Sequence, residues 1–290
     1  MRDFAGKTAV ITGAASGIGR AIAEYCVRLG VNVVLADLDE SALTATADEL
    51  RAAGGTMLAV PTDVSQRSQI ESLARQAFDT FGQVHLLFNN AGVAAGGSPW
   101  EATWNDWEWV IGVNLWGVLH GVKVFTPLLL EQKTECHIVN TASAAGLILG
   151  GFSAPYSVTK HAVVALSESL YLMLRQRNAP VNVSVLCPGM VHTNIGDVER
   201  HRPAGLENPP APLSPEMQAG RAAFRALLAA AMPASRVADM VFDAIRQEKF
   251  YILTHPEWTE LIRLRTDRLL AMENPEDPGP TLARILNLRP

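Results

Sequence analysis

A chain of 290 residues with 48% hydrophobic and 18% charged content can bury one large core. Its formal net charge of −5 and the lack of any Lys/Arg run exclude a surface built to hold a nucleic-acid backbone. The three cysteines, Cys26, Cys136 and Cys187, lie far apart without Cys-x-x-Cys spacing, which excludes a disulfide framework and a zinc site and fits reduced thiols in the cytoplasm. Residues 1–8 run straight into a strand pattern with no signal-type stretch, and no uncharged apolar segment of about eighteen residues follows. A soluble, unexported protein with no membrane partner is expected.

In chain order, Lys7–Thr12 is a short apolar run, Gly13-Ala-Ala-Ser-Gly-Ile-Gly19 a glycine turn, and Ile22, Cys26 and Leu29 the stripe of a helix. Such glycines let the backbone approach a pyrophosphate, and the amides and dipole at the helix start stabilise its charge. The Gly-x-x-x-Gly-x-Gly spacing departs from the Gly-x-Gly-x-x-Gly dinucleotide fingerprint, so the turn alone does not settle the ligand. A second strand, Val31–Ala36, ends at Asp37, eighteen residues past Gly19. A carboxylate there accepts from the adenosine ribose hydroxyls and repels a 2′-phosphate, which favours NAD over NADP; the competing role is a helix cap.

A helix over 40–53, a strand over 56–62 ending at Asp63-Val64, a helix over 66–81 and a strand over 84–88 continue a β-α-β rhythm. That fourth strand stops at Asn89-Asn-Ala-Gly92, which by itself reads as a turn because Asn and Gly tolerate left-handed backbone angles. The pattern Trp107, Val110, Ile111, Val118 and Val122 predicts one long helix from Trp104 to about Leu130, with Asn114 the odd polar residue on its stripe. A buried amide there is either a hydrogen-bonded core residue or part of a site.

The run His137–Ala142 reads as a buried strand that delivers Ser143 to the carboxyl edge of a sheet, where open α/β folds bind ligands. Tyr156 and Lys160 open a helical pattern through Val163, Leu166, Leu170 and Leu174, and their spacing of four puts both on one face. An ammonium beside a phenol favours the phenolate, so the Tyr156 pKa is expected to fall from its ordinary value of about 10 and fit it for proton transfer. A Tyr-x-x-x-Lys pair alone is common surface chemistry. Its weight comes from Ser143 at a strand end in a chain that begins with a glycine turn.

Val181–Cys187 is a sixth strand, closing at Pro188-Gly189. From Gly196 to about Met232 the composition changes, with Arg200-His-Arg-Pro, a run of prolines, and a helix opening at Ser214 that carries Met217, Phe224, Leu227 and Leu228. The segment 190–235 is expected either to close over a substrate or to pack on the body. A helix marked by Val237, Val241 and Ile245 and a seventh strand over 249–254 complete a domain of residues 1–255. The extension 256–290 holds one expected helix, 257–272, and a Pro-rich end; it covers a neighbour, caps a pocket or trails in solvent.

Across its first 255 residues or so, the sequence resembles the short-chain dehydrogenase/reductase family. Thr12–Gly19 is similar to the family's cofactor loop, with Gly13, Ser16, Gly17, Ile18 and Gly19 as its residues. Asn90, Ala91 and Gly92 fall in its sheet-stabilising motif, and Asn114, Ser143, Tyr156 and Lys160 match its catalytic four. The resemblance implies Asp63 and Val64 at the adenine, Pro188, Gly189, Val191 and Thr193 along the nicotinamide, and Asn114 orienting Lys160 through an ordered water. It also implies a homotetramer or dimer.

The expected fold is therefore a single α/β domain, a doubly wound Rossmann-type parallel sheet of seven strands in the order 3-2-1-4-5-6-7. The expected activity is hydride transfer between NAD(H) and a secondary alcohol or ketone. An NADP-dependent reductase would need a basic residue in the glycine loop or just after the second strand, where Ser16 and Leu38 stand. A non-catalytic dinucleotide binder is the other alternative, and the intact four argue against it. Leu147, Phe152, Met190 and Trp100 suggest an apolar pocket for an aromatic or alicyclic alcohol, while Arg200, His201 and Arg202 offer cations for a carboxylate. The tail and the Arg-Pro loop are also similar to bacterial aryl-ether alcohol dehydrogenases.

Overall fold

The structure, a computed structural model, describes residues 1–149, 153–209 and 215–285. Phe152 and Ser214 lie outside the described residues, as does the side chain of Met217. The chain runs β1 (Thr8–Thr12), α1 (Gly17–Arg28), β2 (Asn32–Asp37), α2 (Glu40–Ala52), β3 (Met57–Pro61), α3 (Arg67–Phe81) and β4 (Leu86–Asn89). It continues through α4 (Trp104–Ile111), a π-helical turn (Gly112–Trp116), α5 (Gly117–Glu131), β5 (Cys136–Thr141), α6 (Ala154–Gln176), β6 (Val181–Cys187) and β7 (Val191–His192). Last come α7 (Pro215–Ala229), β8 (Met232–Pro233), α8 (Ala234–Arg246), β9 (Tyr251–Leu253), α9 (Thr259–Leu270) and α10 (Gly279–Ile285).

Seven parallel strands form one sheet in the order β3-β2-β1-β4-β5-β6-β9, which is the expected order with β9 in the seventh place. Strands so placed are covered on both faces, which is why they read as unbroken apolar runs. Along β1, Ala9 and Ile11 face a core shared with α1, α2 and α8, while Val10 faces the core built by α3, α5 and α6. A second ladder, β7 with β8, has two residues per strand and is too short to leave a periodic signal in the sequence.

The expected single helix runs without a gap from Trp104 to Glu131 and carries a π-helical turn with Asn114 at its centre. One extra residue per turn shifts the stripe, so Asn114 turns fully inward while Trp116 is left half exposed. The run Trp104–Glu131 has the length and hydropathy of a membrane span, yet Trp109, Val110, Val118, Val122, Phe125 and Leu129 are buried in the protein core. The helix α6 begins two residues before Tyr156. Ser153 caps it by accepting from the Tyr156 N–H at 3.3 Å, and Pro155 fits the first turn.

The tail lies on the body. Trp258 and Leu261 are buried against Ala144 and Ile148, and Met190, Ile262 and Leu282 pack on the same cluster. The Pro-rich end contains α10, which begins at Gly279-Pro280 after Asp277 accepts from the Gly279 N–H at 2.9 Å. The expected Pro-rich coil is thus partly helical, because proline is well tolerated in a first helical turn.

A buried polar chain sets the position of α6 against the sheet. Asn89 Nδ2 donates to Asn140 Oδ1 at 2.8 Å, Asn140 Nδ2 donates to Ser167 Oγ at 3.0 Å, and Ser167 Oγ donates to Val163 O at 2.7 Å. The opposite side of Asn89 is closed by Gly121, where an added Cβ would overlap Asn89 Oδ1. Substituting Gly121→Ala should therefore force α5 away from β4 and cost about 1–3 kcal/mol of stability in denaturant unfolding. An unchanged midpoint would show that α5 has room there.

Candidate active site

The loop after β1 is glycine-dependent for steric reasons. Gly13 and Gly17 adopt φ of +66° and +54°. A Cβ on Gly13 would stand 2.9 Å from Ala91 Cα, and one on Gly19 would overlap Gly13 O. The loop thus presses on the segment after β4, which is tied back in turn. Thr12 Oγ1 accepts the N–H of Asn90 at 2.9 Å and of Ala91 at 3.1 Å, and Asn90 Nδ2 donates to Thr12 O at 3.0 Å. Ser16 occupies the N-cap of α1 with no side-chain cap bond, so the first-turn amides next to Ile18 face the cleft uncapped. A cradle this tight, at a helix N-terminus, fits a pyrophosphate. Thr193 closes its far side, since a Cβ on Gly17 would stand 3.1 Å from Thr193 Cγ2; Val191, two residues earlier, is buried.

Asp37 stands at the end of β2 beside this loop. Its Oδ2 accepts from the Ala15 N–H at 2.9 Å and its Oδ1 from the Asp39 N–H at 3.1 Å. The cap of α2 is Asp39, whose Oδ1 accepts from Ala42 N–H at 3.0 Å, so the helix-cap role considered for Asp37 belongs to its neighbour. Asp63 Oδ1 accepts from the backbone N–H and the hydroxyl of Ser65 at 2.9 and 2.7 Å. Val64 is buried and leaves no space for a Cβ on Gly117.

Ser143, Tyr156 and Lys160 meet where β5 ends and α6 begins. Ser143 Oγ accepts from Ala145 N–H at 3.1 Å and donates to Pro188 O at 3.4 Å. Gly189 follows Pro188, with its N–H on Thr254 Oγ1 at 3.0 Å and no room for a side chain against His255. Lys160 is 2% exposed, donates from Nζ to Thr141 O at 3.0 Å, and lies 5.5 Å from the centre of the Tyr156 ring. Burial pushes this ammonium down to about 8.

The expected lowering of the Tyr156 pKa does not occur in this arrangement. Burial pushes the phenol above 10, and the opposing pull comes from a hydrogen bond with Ser143. Lys160 Nζ lies 5.5 Å from the ring centre and donates to the Thr141 carbonyl at 3.0 Å. Cys187 lies behind the same cluster, its thiol pushed up to about 12 by burial.

Asn114 is wholly buried and clamps the loop after β4. Its Oδ1 accepts from Val93 N–H at 2.8 Å, and its Nδ2 donates to Val93 O at 2.9 Å and to Thr159 Oγ1 at 3.3 Å. Gly92 lies between Asn114 and Lys160, since a Cβ there would be 3.4 Å from both Asn114 Oδ1 and Lys160 Nζ. Neither the Thr141 carbonyl nor Thr159 is legible in the sequence, because a backbone acceptor has no side-chain signature and Thr159 reads as an ordinary helix residue.

Of the three cations expected for a substrate carboxylate, Arg202 is committed elsewhere. Arg202, 4% exposed, is bonded to Asp106 at 2.6 Å and to Glu199, and its guanidinium lies 4.5 Å from the centre of the Trp109 ring. Arg200 reaches Asp39 at 3.5 Å. Trp100 is 83% exposed and so lines no pocket, while Leu228 is buried against the turn at Gly196. Leu147 and Met190 are partly buried beside the Ser143 turn.

Fold and site together define an oxidoreductase of the open α/β, dinucleotide-site type. Residues 7–203 match the short chain dehydrogenase family, and the chain belongs to the short-chain dehydrogenase/reductases, acting on an alcohol or ketone. Among solved structures it is similar to a short chain dehydrogenase/reductase from Burkholderia phymatum in complex with NAD, with 49% identity, a TM-score of 0.92 and coverage of 96% of this chain and 99% of that one. It is 36% identical to a CLA biosynthesis dehydrogenase/reductase of Lactiplantibacillus plantarum, over 95% of this chain and 97% of the relative. It is also 36% identical to a 1-deoxy-11-beta-hydroxypentalenate dehydrogenase of Streptomyces exfoliatus, over 89% and 86%.

The depressed Lys160 pKa has a stability consequence. Below about 8 the ammonium is charged in both folded and unfolded chains and its burial penalises the fold; between about 8 and 10.5 the unfolded chain holds the extra proton, so folding gains as pH rises. Relative to Lys160→Met, the wild type should gain about 3 kcal/mol of stability across that window. A difference that stays flat with pH would mean the ammonium is not desolvated.

Proposed function

We propose that the protein is an NAD(H)-dependent dehydrogenase/reductase of secondary alcohols and ketones with an apolar, aromatic or alicyclic body. The observation that carries this reading is the convergence of the buried Ser143 and Lys160 with the partly buried Tyr156 beside a glycine cradle. Gly13, Ser16, Gly17, Ile18 and Gly19 hold the pyrophosphate, Asp37 the adenosine ribose, and Asp63 and Val64 the adenine. Asn90, Ala91 and Gly92 back the cofactor from β4, while Pro188, Gly189, Val191 and Thr193 flank the nicotinamide. Such a cofactor supplies the hydride acceptor or donor.

The chain's own groups handle the oxygen and its proton. Ser143 Oγ holds the substrate oxygen within reach of the phenol, and Tyr156 gives its proton to a carbonyl oxygen in reduction or takes the hydroxyl proton in oxidation. Its raised pKa in the free protein keeps the phenol in the acid form needed to protonate a carbonyl oxygen. Lys160 holds the ribose next to the nicotinamide and adds positive charge to the cluster. Asn114 fixes the loop at Val93 and reaches Lys160 through an ordered water.

Leu147 and Met190 give the substrate side an apolar wall, and the tail packed behind them completes it. Two relatives, a hydroxypentalenate dehydrogenase and a dehydrogenase/reductase, support an alcohol or ketone of this kind. The segment 190–235 is the cover of the site and 256–290 its extension. The protein works in the cytoplasm as a homotetramer or dimer, paired through α5 and α6, where Trp116, Val158, Leu172 and Met173 are exposed.

Replacing Tyr156→Phe should lower kcat by at least about a thousandfold and leave cofactor binding intact, because only the transferable proton is lost. Turnover within a few-fold of wild type, measured by reduced-cofactor absorbance over a panel of alcohols and ketones, would end this mechanism.

A further inference from the structure

Over residues 199–208 the chain makes a strap pinned on both sides of the cleft. On one side, Arg202 is locked to Asp106 and over Trp109, Asn208 Nδ2 donates to Asp106 Oδ1 at 3.0 Å, and Asn105 Nδ2 donates to Glu207 O at 2.9 Å. Hydrogen bonds from Arg202, Asn208 and Thr103 outweigh burial and hold the Asp106 carboxyl below its ordinary range, so this anchor stays ionised. Two residues before Arg202, the strap delivers Arg200 to the other side of the cleft, at the end of β2.

There Arg200 Nη2 lies 3.5 Å from Asp39 Oδ2, and the Asp39 N–H is bonded to Asp37 Oδ1 at 3.1 Å. The bond from Ala42 N–H, with Arg200 and His201 nearby, keeps the Asp39 carboxyl below its ordinary range. Asp37, Asp39 and Arg200 are therefore linked beside the glycine loop, Arg200 to the Asp39 carboxylate and Asp37 to the Asp39 backbone N–H. The sequence around Gly13–Gly19 and Leu38 offers no cation to a 2′-phosphate except Arg20, which is engaged with Glu24 and Glu49. Arg200 arrives from 161 positions beyond Asp39.

We propose that Arg200 is a specificity-determining residue of the dinucleotide site: it is the cation that a 2′-phosphate on the adenosine ribose would meet, held in check by Asp37 and Asp39. This rests on the reading of Asp37 as the ribose ligand given above. With both carboxylates present the cluster sums to a net negative charge and turns a phosphate away. Without Asp37 it is neutral and presents a guanidinium fork, the geometry that best matches a phosphate. The single contact to Asp39, at 3.5 Å and with both side chains 29% exposed, is weak enough to exchange for a phosphate oxygen.

The test is kcat/KM with NAD and with NADP for the wild type, Asp37→Ala, and Asp37→Ala combined with Arg200→Ala or Arg200→Lys. Asp37→Ala should raise the NADP-to-NAD ratio at least about tenfold; adding Arg200→Ala should cut NADP use about tenfold while NAD changes less than about threefold, and Arg200→Lys should keep part of the gain. Equal thermal midpoints across the set would establish that each variant folds. A ratio shifted by Asp37→Ala but insensitive to residue 200, or an equal fall for both cofactors, overturns the role of Arg200 alone. A ratio that Asp37→Ala leaves unmoved overturns the ribose reading of Asp37, and this proposal with it.

Discussion

The buried Lys160 ammonium on the Thr141 carbonyl is the contact around which the site is built. A desolvated charge with a single neutral acceptor is costly, and among the described residues no carboxylate lies within ion-pair distance of it. The fold tolerates this because α6 is held from several directions. Ser153 fixes its start to Ala95 O at 2.7 Å, the Asn89–Asn140–Ser167 chain fixes its middle, and Gly146 lets the Ser143 turn approach the Lys160 backbone so closely that a Cβ would stand 2.5 Å from Lys160 O. Each of these contacts joins α6 to the carboxyl edge of the sheet.

The same burial decides the proton chemistry. Desolvation acts on the phenol and on the ammonium in opposite senses, raising the one and lowering the other, in each case against the charged form. Ser143 is the group that pulls the phenol back. A ligand that brings positive charge into this space shifts that balance toward the phenolate, so proton affinity at Tyr156 is coupled to what occupies the cleft.

Much of this was legible in the sequence because it was written in side chains at fixed spacing. Strands buried on both faces leave unbroken apolar runs, and the order of seven strands follows from right-handed crossovers. Ser143, Tyr156 and Lys160 converge as their strand-end and helix positions imply. The π-helical turn at Asn114 was not legible, since the apolar stripe continues through it, and neither were the two-residue strands β7 and β8. The sign of the Tyr156 shift was misjudged because adjacency on a helix face does not say that the ammonium will be drawn to a carbonyl instead. Arg200 beside Asp39 joins residues 161 positions apart, and only the anchoring of Arg202 explains it.

Burial, opposed by Ser143, sets the proton affinity of Tyr156. Ultraviolet difference titration of the free protein against its Tyr156→Phe variant measures this directly. One phenol titrating above 10 in the wild type and missing from the variant is the predicted result; a Tyr156 signal titrating below 10 in the free protein would contradict it.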